Sequence, residues 1–137
     1  MKKIKIGRNS FINIMRKDNV NYQKWVTFIE NHKSYFIWYE DTEEGKKKRE
    51  RIDEFSQRVK EGVLYKLSKT NVYCTKKLSE NSWDCIISYN IENNISVHLE
   101  KKITKSIAEI ILEMADYLEA KIIIDEKNEF VSLEQLE

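Results

Sequence analysis

A chain of 137 residues suits one compact domain with a single core, and 41% apolar content with three Trp, seven Tyr and five Phe argues against wholesale disorder. Charged residues make up 34%, yet the net charge of +1 hides a split: positions 1–105 carry 22 Lys and Arg against 14 Asp and Glu, positions 106–137 only 2 against 9. No run of about 18 apolar residues is present to span a bilayer, the alternating N-terminus lacks a signal-peptide core, and two cysteines without C-x-x-C spacing fit neither a disulfide scaffold nor a zinc ribbon, so a reduced, cytoplasmic protein is expected.

The first stretch, Met1 to Ile6, alternates Lys with Ile and reads as a strand, followed after Gly7 by "FINIM" as a second. Tyr22, Trp25, Val26 and Ile29 keep helical spacing, but "KWVTFIE" is also β-favouring and is expected to pair as a hairpin with "YFIWYE" across "NHKS". Asp41 and Glu44 have the spacing of an N-cap and its N3 acid, and Ile52, Phe55 and Val59 share one face, predicting a helix that ends at Gly62. Its "KKKRER" run is interleaved with acids and reads as a solvated face with i, i+4 pairs.

From Val63 to Glu100 the period is two, in the runs "VLYKL", "NVYCTKKL", "WDCIISYNI" and "ISVHLE", which predicts an antiparallel meander. With no proline and three glycines, its turns rest on Asn: one around Asn71, one at "SENS", and a type I′ turn at Asn93-Asn94. One face then holds Val72, Cys74, Leu78, Trp83, Cys85, Ile87, Tyr89, Ile95, Val97 and Leu99, so both cysteines act as core residues. Ser106 and Glu109 read as a capping box for a helix whose Ile103, Ile107, Ile110, Ile111, Met114 and Leu118 form an apolar stripe. "KIIID" follows as a buried strand, and "FVSLEQLE" as an edge strand or one helical turn. The elements add up to a single α+β domain over 1–137, a mainly antiparallel sheet of about five to seven strands with two helices packed on it.

Signatures of chemistry are missing. His32 and His98 lack metal-ligand spacing to each other or to the cysteines, the acid pairs such as Asp53-Glu54 show no sign of burial, and no phosphate-binding glycine loop exists. No catalytic residue, metal or cofactor is assigned. Base stacking by Tyr65, Tyr73, Trp38 and Tyr39 is conceivable on a sheet, but the RNP1 pattern is absent. The positive signal is Glu109, Glu113, Asp116 and Glu119, at intervals of four, three and three, with no Lys or Arg between Ser106 and Ala120. Like charges at that spacing cost a few tenths of a kcal/mol each, and Glu119 opposes the helix dipole. A basic partner is one reason to keep them.

The rhythm "WDCIISY … ISVHLE", the helix "SIAEIILEMADYLEA" and the closing "KIIID", over about Trp83 to Asp125, resemble small bacterial immunity proteins, the cytosolic antidotes of contact-dependent and other polymorphic toxins. The resemblance implies a non-enzymatic module that neutralises a cognate toxin domain by direct binding. The class shares no common functional residue, so none is carried over. The docking surface is expected to be either the acid row of the last helix or the aromatic-rich region Trp25 to Glu40, with Trp38, Glu40 and Asp41 at its end. The alternatives are a nucleic-acid-associated protein using the basic segment Lys46 to Arg51, and a small enzyme without a recognisable motif.

Overall fold

Apolar residues alternate along Ile12–Met15 and recur at three and four along Lys105–Tyr117, and the two rhythms meet across one interface. The computed structural model describes the backbone of residues 2–74, 77–79 and 82–137, and the side chains of these except 77–79 and 82. In chain order the elements are β1 (Ile12–Met15), α1 (Tyr22–Glu30), β2 (Phe36–Trp38), α2 (Glu43–Glu50), α3 (Gln57–Lys66), β3 (Asn71–Cys74), β4 (Lys77–Ser79), β5 (Ser82–Trp83), β6 (Cys85–Tyr89), β7 (Ile95–Leu99), α4 (Lys105–Tyr117), β8 (Lys121–Ile124) and β9 (Asn128–Phe130). The fold is α+β, as expected, with a seven-stranded antiparallel sheet in the order β2-β3-β6-β7-β1-β8-β9. Among the described residues there are four α-helices rather than two.

One face of the sheet carries the main core, where Val72, Cys74, Cys85, Ile87, Ile95, Val97, Ile12, Ile14, Ile122 and Ile124 meet the helices. α4 contributes Ile107, Ile110, Ile111 and Met114, and α1 contributes Trp25, Phe28 and Ile29. Each such side chain adds roughly 1.5–3 kcal/mol by leaving water. The other face is covered at the β2-β3-β6 end by a smaller cluster of Tyr39, Leu67 and Tyr73, with Ile37, Val63, Trp83 and Ile86 against it. Trp83 therefore lies across the sheet from Cys85: the bend at Asp84 interrupts the alternation that places it inward.

Several local expectations are overturned, each by a cap or a missing partner. Residues 22–30 form α1 and not a hairpin strand, because Asn21 accepts the Lys24 amide at 2.9 Å and starts the helix. The strand expected at Met1 to Ile6 shrinks to one bridge, Ile4 to Leu136: Ile4 and Ile6 are buried, but Ile4 is tied to the chain's tail and Ile6 to Ile103, whose N–H donates to its carbonyl at 3.0 Å, so no continuous ladder forms. The helix expected over 41–62 is broken. Thr42, not Asp41, caps α2, and Ser56 caps a second helix, α3, after a 3-10 turn at Ile52–Glu54. Gly62 lies inside α3, whose last turns contain the "VLYKL" read as a strand; Val63 and Leu67 are one helical turn apart and both reach the smaller cluster.

Asn71 begins β3, and the turn before it hinges on Lys69, at φ 57°. The β6–β7 turn closes on three residues, with Asn93 alone at positive φ (65°) and an Asn90 N–H to Asn94 carbonyl bond at 2.8 Å. At "SENS", β4 and β5 pair through Ser79 and Ser82, while Glu80 and Asn81 lie outside the described residues, as does the side chain of Leu78. α4 is capped by Thr104, whose hydroxyl accepts the Ile107 amide, so Ser106 is inside the helix and not its cap. The tail supplies both a strand, β9, and a helical turn at Leu133–Gln135.

The joint between α4 and β8 explains the abrupt change of rhythm there. Ala120 N–H bonds to the Ala115 carbonyl at 2.8 Å and Glu119 N–H to that of Asp116 at 3.1 Å, the paired bonds of a Schellman motif. Its left-handed position, usually glycine, is Glu119 at φ 55°.

Candidate functional site

α4 turns its apolar stripe inward, which leaves Glu109, Glu113, Asp116 and Glu119 on the solvent side, all four exposed. Tyr117 flanks them on the α1 side, 41% exposed, one turn beyond Glu113 and with its ring tilted against that of Phe28, centroids 5.7 Å apart. Its place was readable in the intervals, since Glu109, Glu113 and Tyr117 repeat every four residues. Three of the acids have loose partners: Glu109 with Lys105 at 3.9 Å, Glu119 with Lys24 at 3.8 Å, and Glu113 with His32 Nε2 at 3.2 Å. Pairs this exposed contribute about 0–1 kcal/mol, so an incoming cation displaces them at little cost. Asp116 has no ion pair among the described residues.

His32 is held as part of this face. Its ring stacks on Phe28 at 4.0 Å, and Nδ1 contacts the Phe28 carbonyl at 2.7 Å. His98 projects from the opposite face of the sheet, beside Glu100 at 3.3 Å. The described residues hold no group of three or more His, Cys, Asp or Glu placed for a metal ion, and no helix among them is long and apolar enough to cross a membrane.

The second surface read from the sequence is largely interior. Trp38 is 1% exposed, and its indole N–H donates to Glu30 Oε1 at 3.0 Å. Glu40 Oε2 accepts the Lys69 amide at 2.7 Å, clasping the left-handed turn before β3, and burial raises its carboxyl above the usual range. Of these three residues only Asp41 is exposed, 3.7 Å from Lys33. The strong β-favouring aromatics that suggest a surface are there to fill the core.

The same packing removes the stacking platform. Trp38, Tyr39 and Tyr73 are buried, and burial together with the neighbouring Glu44 charge pushes the Tyr39 hydroxyl up to about 12 and raises Tyr73 as well. Tyr65 is half-buried and donates to the Tyr89 carbonyl at 2.6 Å. The basic segment is partly neutralised, with Arg51 on Glu54 at 2.9 Å and, nearby, Lys60 on Asp53 at 3.0 Å.

Cys74 and Cys85 face each other across β3 and β6 as free thiols. The hydrogen bond between them, with burial, drives Cys85 well above the usual thiol range, so the thiolate needed for nucleophilic chemistry is suppressed. No protein-family model, curated protein or solved structure matches this chain. What the geometry offers is an acidic helix face flanked on its α1 side by Tyr117, with a cavity near His32 at the start of α4. That cavity, of about 200 Å³, has Asp84 among its lining residues.

Proposed function

We propose that the protein is a non-enzymatic binding module of the immunity type, which neutralises a toxin domain by covering it with the solvent face of α4. The observation that carries this reading is the row of four exposed carboxylates on one side of α4, with the part-exposed Tyr117 at its flank. The acids attract a basic partner and speed encounter, and an exposed aromatic beside them adds apolar contact area of the kind enriched in protein interfaces.

A second feature supports it. Glu119 occupies its position against two local preferences at once, a left-handed φ of 55° that favours glycine and an acid at the negative end of a helix. Residues kept at such a cost are commonly kept for binding. Replacing Glu119 with Gly is therefore expected to stabilise the fold by roughly 0.5–1 kcal/mol while weakening partner binding. Thermal melting read beside affinity checks this: a variant that is more stable and binds equally well removes Glu119 from the interface.

The class is tested by co-expression with the product of the neighbouring upstream gene. If that product arrests growth alone and this protein restores it, the reading stands. If the product is harmless, or is toxic and not relieved, the immunity reading fails for that pair.

A further inference from the structure

Cys74 and Cys85 are the chain's two cysteines, and the fold brings both into the main core. β3 and β6 run antiparallel with Val72 opposite Ile87 and Tyr73 opposite Ile86, so the next step of the register sets Cys74 opposite Cys85. Directly opposed residues of an antiparallel ladder have Cα atoms roughly 4.5–5.5 Å apart, inside the window of about 4.4–6.8 Å that a disulfide spans. Side chains of an opposed pair share one face of the sheet, and here the two thiols already share a hydrogen bond. The backbone is thus already placed for a bond between them.

The two thiols are not equivalent. Cys85 is 0% exposed, whereas Cys74, at the end of β3, keeps 8% and is among the residues lining the cavity of about 200 Å³ at the start of α4. A water molecule takes up about 30 Å³ of liquid, so a peroxide little larger than water fits in that space. The hydrogen bond and the burial that keep Cys85 protonated leave the first encounter to Cys74.

We infer that Cys74 and Cys85 form a reversible oxidation site, which a small peroxide converts from a dithiol to a cross-strand disulfide by reaction first at Cys74. With hydrogen peroxide, the Cys74 sulfur, its proton lost to water, attacks one oxygen. An S–O bond forms, the O–O bond breaks, and the departing hydroxide takes up a proton to become water. The Cys85 sulfur then attacks the Cys74 sulfur: the S–S bond forms, the S–O bond breaks, and the Cys85 proton leaves with the oxygen as a second water. The two sulfurs give up one electron each, and the peroxide takes both. The new bond closes the loop of residues 74–85 and restricts the unfolded chain, so the oxidised protein is the more stable form. The immunity reading uses neither sulfur and stands or falls separately.

The test is treatment of the folded wild-type protein with hydrogen peroxide, with thiols counted and the product mapped by mass spectrometry. Expected is the loss of both thiols together to one intramolecular disulfide, at a rate unchanged by urea below the unfolding transition, with full recovery in dithiothreitol. The oxidised protein should unfold at a higher urea concentration than the reduced one. Cys85→Ala should leave Cys74 to stop as a sulfenic acid that dimedone captures, whereas in Cys74→Ala the Cys85 thiol should survive the same treatment. The wild-type result does not depend on either variant folding. Oxidation whose rate climbs with urea in step with the unfolded fraction would mark the pair as inert core packing and overturn the inference. So would a wild-type product in which Cys74 is oxidised while Cys85 remains a thiol, or a Cys85 that reacts as fast in Cys74→Ala.

Discussion

Replacing Gly45 with Ala is expected to destabilise the protein by roughly 3 kcal/mol, although helix propensity alone predicts a gain of about 1 kcal/mol. Gly45 sits in the first turn of α2, where a Cβ would come 2.0 Å from the Tyr39 carbonyl oxygen and 2.8 Å from its carbon. Both are backbone atoms and cannot swing aside. They belong to a tightly tied turn, since the Thr42 hydroxyl donates to that same carbonyl at 2.6 Å and accepts the Gly45 amide at 3.0 Å. The methyl group must lift α2 off the Tyr39–Asp41 turn, which puts overpacking near or beyond the usual ~1–3 kcal/mol. For a chain of this size the melting temperature should fall by about 10 °C. A melting temperature equal to or above the wild type would show that α2 does not dock as described.

The second large effect is at Trp25, fully buried at the junction of α1 and the sheet. Its ring meets Trp38 edge-on at 6.0 Å and Tyr89 at 6.1 Å, and its indole N–H donates to the Lys69 carbonyl at 3.0 Å. Trp25→Ala leaves a cavity among aromatics and strips a donor from the turn that Glu40 holds from its other side, so a loss of roughly 3–5 kcal/mol is expected. Trp25→Phe keeps most of the ring and loses the donor, and should cost less than half as much. Urea unfolding midpoints at unchanged slope measure both. A loss under 1 kcal/mol in Trp25→Ala would place this side chain outside the core.

The period-two runs placed β3, β6 and β7 correctly, because each is bounded on one face by the core and any slip would expose Ile87 or Val97. The stripe of α4 was legible for the same reason. What failed was capping. Asn21, Thr42, Ser56 and Thr104 each start a helix, and Thr42 and Thr104 compete in the sequence with Asp41 and Ser106, which are equally able to cap. The choice among them depends on packing far away in the chain, as when Gly45 must clear Tyr39. Trp38 and Glu40 misled because aromatic and acidic residues look like surface in sequence, while here the Trp38 ring packs in the core with its N–H on Glu30, and Glu40 holds the Lys69 turn amide.

The binding account is tested most directly by the affinity of a purified variant with Glu109, Glu113, Asp116 and Glu119 all changed to Lys, measured against the cognate partner beside the wild type. These side chains face water and hold only loose partners, so circular dichroism and melting should stay close to the wild type while affinity falls by at least about a hundredfold, with weaker dependence of association on salt. A folded variant that binds its partner as tightly as the wild type would contradict the assignment of the α4 face.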